Sequence, residues 1–165
     1  MSTRVRIAVT AVAFSAVGYV ALVHEEDYRD VAYDDGVGVW TIGFGSTTHE
    51  DGSPVQPGER TNVRRAMNRS LKDIEKVEAE LRKCIKVPLS QNEWDFAVLV
   101  SYNIGQKAFC NSTMVRQWNR GLYEEGCAAI KAYYYAQGRD CRIRENNCYG
   151  LVARREREYA LCIGS

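Results

Sequence analysis

Six cysteines in a chain of 165 residues limit how this sequence can fold more than any other feature does. None of them has a C-x-x-C spacing, and only His24 and His49 are available as further soft metal ligands. Structural zinc sites need closely spaced cysteines and histidines, so the pattern favours three disulfides and predicts no metal site. Because disulfides persist in oxidising compartments, we expect the folded part of the chain to lie outside the cytoplasm.

An apolar N-terminal run points to the same compartment. Arg4 and Arg6 precede an uncharged run over residues 7–23, and charge returns at Glu25. As a helix the run would span roughly 25 Å, slightly less than a hydrocarbon core of about 30 Å. Its alanine, glycine, serine and threonine content makes insertion only marginally favourable. Arginines ahead of the run predict a cytoplasmic N-terminus and export of the rest by the cell's export machinery.

Three interpretations of this run are open. It could be an uncleaved membrane anchor, a signal peptide cleaved near residues 16–18, or a buried helix of a cytosolic protein. The small residues at 16–18 suit signal peptidase, but they lie inside the apolar run. We favour the anchor, which divides the chain into an anchor segment over residues 1–24 and a folded domain over residues 25–165.

The charge balance excludes some partners. The chain has 22 basic and 21 acidic residues, with 45% hydrophobic and 26% charged content, as in an ordinary folded domain. A net charge of +1 produces no strong electrostatic attraction between the protein and polyanions. We therefore expect no nucleic-acid partner, and separately we expect a monomer.

The hydrophobic pattern predicts a small β region followed by helices. Over residues 30–48 four glycines alternate with apolar and aromatic residues, which is typical of short strands joined by tight turns. From Thr61, a plausible N-cap, the pattern is that of one long helix. Its apolar stripe consists of Val63, Met67, Leu71, Ile74, Val77 and Leu81.

A second helix is predicted to be the buried centre of a helical lobe. Residues 90–93 form a capping box ahead of an apolar run, and Gly105 lies where that helix could end. Three more helical patterns cover residues 112–119, 123–137 and 151–162. The fold class is therefore α+β, with a long helix between a small β-containing lobe and a larger helical lobe.

Two pairs of acids flank and enter the β region. Glu25 and Glu26 precede it, and Asp34 and Asp35 lie in its first turn. Two carboxyls on opposite faces of a groove can cleave a glycosidic bond, one by protonating the leaving oxygen and the other by activating water. In a chain with 21 acids, however, most such clusters are solvated surface, so the carboxyls alone do not establish catalysis.

The spacing Glu26-x8-Asp35-x5-Thr41 resembles the catalytic segment of the phage lysozymes, the endolysins of glycoside hydrolase family 24. The stretch VPLSQNEWDFAVLVSYNIG is similar to the family's buried central helix, and GLVARREREYALC is similar to its closing helix. The weakly apolar N-terminus resembles that of the signal-anchor-release endolysins of lambdoid phages such as phage 21. Those enzymes are first tethered to the inner membrane and later released into the periplasm.

This resemblance implies an endolysin with muramidase activity, which hydrolyses the β-1,4 bond between N-acetylmuramic acid and N-acetylglucosamine of peptidoglycan and lyses the host. Glu26 would be the general acid, in a partly apolar setting near Trp40 and Tyr33. Asp35 and Thr41 would hold the attacking water, and the reaction would invert the anomeric carbon. No cofactor is implied. The implied substrate contacts are Trp40, Tyr102, Asn103 and Gln106.

The chain departs from the family pattern at two positions. Asp27 follows the acid where the family usually has glycine, and Ser46 stands where it usually has histidine. These departures keep open a non-catalytic wall-binding domain anchored in the membrane. A lytic transglycosylase, which needs the acid but not the Asp and Thr and would release anhydro-sugars, is a further alternative.

The disulfide partners are inferred partly from the chain and partly from the resemblance. Cys141 and Cys148 bracket a short loop and form the simplest local pair. The family's helical lobe favours the pairs Cys84 with Cys110 and Cys127 with Cys162, because each would join helix ends expected to meet there.

Overall fold

The computed structural model describes residues 4–36 and 38–164, so the first three residues of the predicted anchor and one residue of the first predicted turn lie outside the description. Contacts within the chain group it into two units, one of residues 19–77 and the other of residues 1–18 with 78–165. The helices are α1 (Ala16–Glu25), α2 (Val63–Cys84), α3 (Gln91–Ile104), α4 (Gln106–Cys110), α5 (Thr113–Trp118), α6 (Tyr123–Ala128) and α7 (Gly150–Ile163). The strands are β1 (Arg29–Asp34), β2 (Trp40–Gly43), β3 (Tyr135–Ala136) and β4 (Arg139–Asp140). This content confirms the α+β class.

The N-terminal run forms only one short helix. Helix α1 has 10 residues, and residues 4–15 contain no helix but include a β-bridge between Ile7 and Leu89. The hydroxyl oxygen of Ser15 caps α1 by accepting a hydrogen bond from the Gly18 amide at 2.9 Å. Within the described residues, no helix is both long and apolar enough to cross a membrane.

Strands β1 and β2 form the predicted β region. They are antiparallel, with Tyr33 opposite Thr41 and Asp34 opposite Trp40. Side chains alternate between the faces of a strand, so Ile42 and Thr41 point to opposite sides of the sheet. On one side, Ile42 packs with Ala32 and Val55 in a small buried core, and Tyr33 shares the other side with Thr41.

Helix α2 confirms the predicted long helix but differs in two details. It begins at Val63, and its N-cap is Asn62, whose side-chain oxygen accepts from the Arg65 amide at 3.0 Å. The prediction of Thr61 was therefore wrong by one residue. Only the second half of the apolar stripe is buried, because Ala66 and the Ser70 side chain occupy the buried face of the first half.

Helix α3 is the buried central helix that the sequence predicted. Ser90 is its N-cap, and the reciprocal bonds of the capping box with Glu93 are both present. Trp94 and Phe96 are fully buried, and the Phe96 ring meets Trp118 edge-on at 5.7 Å. Burial on all sides explains the absence of a polar face in this part of the sequence.

The helix predicted over residues 123–137 is shorter than expected. Helix α6 ends at Ala128, a 3-10 turn follows over Ala129–Ala132, and β3 and β4 then form a small hairpin. Gln137 and Gly138 occupy the two central positions of the hairpin turn, both with positive φ. That geometry is typical of a type I′ turn, which the helical pattern of the sequence concealed.

Three disulfides join the six cysteines as predicted. The bonds are Cys84–Cys110, Cys127–Cys162 and Cys141–Cys148, with Cα–Cα distances of 5.6, 5.8 and 4.9 Å. All three lie in the unit of residues 1–18 and 78–165, and two of them fasten α2 to α4 and α6 to α7.

The disulfides should differ in their effect on stability. A crosslink restricts the unfolded chain more when it closes a longer loop. The two cysteines are 35 positions apart in Cys127–Cys162 and 7 positions apart in Cys141–Cys148. Replacing both cysteines of the longer pair by alanine should lower the free energy of unfolding by about 1.4 kcal/mol more than the same change in the shorter pair. Urea unfolding of the two double variants tests this. Equal losses would contradict it.

Candidate active site

The turn between β1 and β2 is organised by its two aspartates. The Asp34 carboxylate accepts hydrogen bonds from the amides of Gly36 at 2.8 Å and Gly38 at 3.0 Å, which closes the turn. Asp35 exchanges two bonds with Val39, its amide donating to the Val39 carbonyl and its carboxylate accepting from the Val39 amide, both at 3.1 Å. Both aspartates therefore bond main-chain groups of the turn, Asp34 to two glycine amides and Asp35 to Val39.

Thr41 is held next to the same turn. Its side chain is 5% exposed, and its hydroxyl donates to the Val39 carbonyl at 3.4 Å. Asp35 and Thr41 thus contact one shared residue, and their positions depend on the same few peptide units.

Glu26 follows the last turn of α1. Its amide donates to the Leu22 carbonyl at 2.9 Å, and Leu22 is 1% exposed, so the backbone at Glu26 is fixed to a buried residue. Glu26 itself is half-buried, whereas Asp27 is exposed. The departure from glycine at Asp27 therefore places an additional charge in solvent.

Tyr33 lies within electrostatic reach of both candidate carboxyls. Partial burial raises the pKa of the Tyr33 hydroxyl above its usual value, the negative charge of Glu26 raises it further, and Asp35 and Asp27 add to the effect. Arg29 opposes these charges, and its guanidinium lies 5.8 Å from the centre of the Tyr33 ring. The structure therefore brings Glu26, Asp35 and Tyr33 into one neighbourhood, as the sequence led us to expect for Tyr33.

Trp40 belongs to the other face of the hairpin. It lies next to Thr41 on β2, so its ring points to the opposite face, where it packs against Ile42 and Val55. There it lines a pocket of about 520 Å³ together with Val39 and Pro54. Strand alternation therefore separates the Trp40 ring from Thr41 and Tyr33, and its expected closeness to Glu26 stays a prediction.

The other three expected substrate contacts lie in the unit of residues 1–18 and 78–165. Tyr102 is half-buried, and Gln106 lines a pocket of about 390 Å³ beside Glu80. The side-chain oxygen of Asn103 accepts from the Arg155 guanidinium at 2.7 Å. That oxygen therefore has a structural contact inside its own unit.

A buried ion pair explains the basic residues of α7. Arg155 and Glu158 are each 3% exposed and are joined at 2.7 Å, and Arg154 reaches the same carboxylate at 3.0 Å. These arginines form a salt-bridged helix face rather than a solvated one. Sequence reasoning did not identify Arg155 as the partner of Asn103, because the two residues are 52 positions apart.

Ser46 stands where the family usually has histidine, and its hydroxyl and its backbone both have hydrogen-bond partners. It is 2% exposed, its hydroxyl donates to the Asp73 carboxylate at 2.7 Å, and its backbone forms a bridge with Ile42. Among the described residues no group of three or more histidines, cysteines or acids is arranged to hold a metal ion.

Comparison with known proteins supplies the family. The model of the family described as phage lysozyme matches residues 23–158. A SAR-endolysin of Escherichia phage 933W is 41% identical over 138 residues, which are 83% of this chain and 77% of the relative. A SAR-endolysin of Enterobacteria phage H19B is 36% identical, with 98% and 96% of the two chains covered. A crystal structure of a P22 lysozyme mutant is 33% identical with a TM-score of 0.76, and 92% and 99% of the chains are covered.

This chain therefore belongs to the phage lysozyme family. Membership makes it a glycosidase of the lysozyme type, a class of enzymes that acts on peptidoglycan. The relatives from phages 933W and H19B are both endolysins by name.

The neighbourhood of Tyr33 can be tested by titration. The charge of Glu26 raises the pKa of Tyr33 by disfavouring the phenolate, so Glu26→Gln should lower that pKa towards 10. Carbon NMR of labelled tyrosine across alkaline pH would measure it, with Glu50→Gln as a control expected to leave it unchanged. An unaltered titration in Glu26→Gln would contradict the close placement of the two side chains.

Proposed function

We propose that this protein is a phage endolysin with muramidase activity, which hydrolyses the β-1,4 bond between N-acetylmuramic acid and N-acetylglucosamine. In this proposal Glu26 is the general acid and protonates the oxygen of the leaving sugar. Asp35 is ionised and orients the attacking water, and Thr41 holds the same water through its hydroxyl. The anomeric carbon is inverted, as in glycosidases whose carboxyls are far enough apart to admit water.

One observation carries the proposal. The charges of Glu26, just after α1, and of Asp35, in the hairpin turn, both raise the pKa of Tyr33, and Thr41 stands directly opposite Tyr33 in the sheet. Two carboxyls and a hydroxyl grouped around one hairpin would suit a single-displacement glycosidase.

The surroundings of the two carboxyls differ. Glu26 is half-buried just after the end of α1. Asp35 is exposed in the hairpin turn, where its carboxylate accepts a hydrogen bond from the Val39 amide.

The site of action follows from the N-terminal run and the disulfides. We infer that residues 7–23 anchor the protein in the bacterial inner membrane with the N-terminus in the cytoplasm and the catalytic part in the periplasm, and that the protein is later released. The relatives named SAR-endolysins support this, as do three disulfides suited to an oxidising compartment. Residue 23 is only three positions from Glu26, so the anchored acid would be held at the bilayer surface.

The decisive experiment is clearing of purified peptidoglycan by the intact, oxidised protein. Loss of the proton donor in Glu26→Gln should reduce the rate by about 10³-fold. Thr41→Val keeps the shape of the side chain without its hydroxyl, and we expect a loss of at least about tenfold. Asp27→Asn changes an exposed neighbouring charge and serves as the matched control, with activity expected within about twofold of the parent.

Mass analysis of the products separates the alternatives. Reducing-end fragments that disappear in Glu26→Gln would support the muramidase. Anhydro-sugar products would assign the protein to the lytic transglycosylases. If the folded, disulfide-bonded protein binds peptidoglycan without cutting it, the proposal is wrong and the chain is a wall-binding domain.

A further inference from the structure

A pocket of about 520 Å³ opens beside β2, on the face of the sheet that carries Trp40. It is lined by residues 38–40, 47 and 54–57, which all belong to the unit of residues 19–77. Thr41 and Tyr33 belong to the opposite face of the same sheet. The pocket is therefore separate from the hairpin face on which these two candidate residues lie.

The walls of this pocket are formed by the fold itself. The Val55 amide donates to the Thr47 carbonyl at 3.0 Å, which joins two of the lining segments, and the Val55 side chain is buried. Pro54 and Pro57 restrict the backbone on both sides of Gln56. A ligand would therefore order little of the chain when it binds, which favours affinity.

The three tryptophans of the chain use their indole N–H groups differently. Trp94 donates to the Glu78 carboxylate at 2.8 Å, and Trp118 donates to the Tyr123 carbonyl at 3.1 Å. The indole nitrogen of Trp40 has no acceptor among the residues that the structure describes, and it is accessible to solvent. An indole N–H in a half-buried ring usually has a partner, so Trp40 offers the pocket a donor as well as an aromatic surface.

The polarity of the lining restricts the kind of ligand. None of the described lining residues is charged, whereas a second pocket of the same unit, of about 480 Å³, is lined by two acids and two arginines among other residues. Thr47 and Gln56 are exposed and contribute a hydroxyl and an amide, and the amide donates to the Pro54 carbonyl at 3.3 Å. Val39 and Pro57 add apolar surface. This lining suits an uncharged ligand with an apolar face and a few hydrogen-bonding groups.

We propose that this pocket, here called the Trp40 pocket, binds an N-acetylglucosamine unit of a peptidoglycan strand at a second site, apart from the hairpin face that carries Thr41 and Tyr33. The inference rests on the proposed function for the identity of its ligand. It adds a binding site that holds the wall without cutting it.

An N-acetylglucosamine unit matches the Trp40 pocket in shape and in polarity. The C–H groups on one face of its pyranose ring pack on the indole of Trp40, and its acetyl carbonyl accepts the indole N–H. The acetyl methyl group contacts the apolar side chain of Val39. The unit is uncharged, whereas the neighbouring N-acetylmuramic acid carries a peptide with carboxylates, for which the described lining provides no cation.

Proton–nitrogen NMR of the labelled, oxidised, full-length protein tests the pocket directly. The probe is chitotetraose, a β-1,4-linked oligomer of N-acetylglucosamine. The Trp40 indole signal and the amide signals of Thr47 and Gln56 should shift along one binding curve, while the indole signals of Trp94 and Trp118 should not move. If chitotetraose leaves the Trp40, Thr47 and Gln56 signals in place, the Trp40 pocket is not a glycan site.

A matched sugar and a matched side chain test the hydrogen bond of the indole. Cellotetraose has no acetyl groups and should bind at least about tenfold more weakly than chitotetraose. Trp40→Phe keeps an aromatic ring against Ile42 but removes the N–H, so the affinity for chitotetraose, followed at Thr47 and Gln56, should fall about tenfold. Equal affinities of the parent and of a folded Trp40→Phe variant would overturn the role of the indole.

Two amide deletions separate the pocket from the rest of the surface. Gln56→Ala removes a lining amide and should weaken binding of chitotetraose about threefold. Asn68→Ala removes an exposed amide of α2 outside the lining and should leave the affinity unchanged. Equal effects of the two substitutions would contradict binding in the Trp40 pocket.

Retention on the wall is the expected consequence, because two contacts with one network of strands hold a protein longer than one contact does. Glu26→Gln should leave the wall uncut, so its sedimentation with purified peptidoglycan can be compared with that of the double variant that also carries Trp40→Phe. The bound-to-free ratio of the double variant should be lower by at least about threefold. Equal ratios would contradict a second contact with the wall.

Failure of the Trp40 pocket and failure of the proposed function give different results. If the parent protein cleaves peptidoglycan but its Trp40 signal does not respond to chitotetraose, the pocket proposal is wrong and the muramidase stands. If the Trp40 signal responds but peptidoglycan is not cleaved, the muramidase is wrong and the pocket is supported.

Discussion

The helical unit depends most on the hydrogen bonds and the ion pair that the buried carboxylate of Glu93 accepts. It closes the capping box of α3 through the Ser90 amide, and it pairs with Arg6 near the N-terminus. A charge that is fully buried must be matched by donors, and here the start of α3 and Arg6 supply them. Glu93 therefore fastens the buried helix α3 to the N-terminal residues, together with Gln91 and Asp95.

In the candidate active site, the geometry of the backbone fixes the positions of the side chains. The hairpin turn is closed by Asp34, and this leaves the adjacent Asp35 and the nearby Thr41 both attached to Val39. Strand alternation then puts Thr41 with Tyr33 and sends Trp40 to the other face. The candidate residues Asp35 and Thr41 are thus held by a turn of a few residues, which is the kind of support that precise catalysis requires.

Sequence patterns correctly predicted features that depend on residues close together in the chain. The capping box and the apolar run gave α3 correctly, and the acid and glycine spacing gave the hairpin with its candidate residues. The pairs Cys84–Cys110 and Cys127–Cys162 agreed with the family's expected helical lobe, and Cys141–Cys148 agreed with the short loop that the two cysteines bracket. The errors at the start of α2 and at the β3–β4 turn also have local causes. Asn62 and Thr61 are both good caps, and a type I′ turn with Gln137 in a positive-φ position is not announced by its sequence.

The sequence by itself determined the helical centre, the simple local pair Cys141 with Cys148 and the spacing of Glu26, Asp35 and Thr41, because these depend on periodicity, capping and spacing along the chain. The other two disulfide pairs were expected from the family resemblance. Only the tertiary structure decided that residues 4–15 form no helix and bond to side chains of α2 and α3 instead. An alanine-rich run can satisfy its backbone within a helix or with outside partners, and the choice depends on Arg82, Gln91 and Asp95, more than sixty positions away. Contacts between residues so far apart leave no periodic trace, so the sequence pattern could not reveal them.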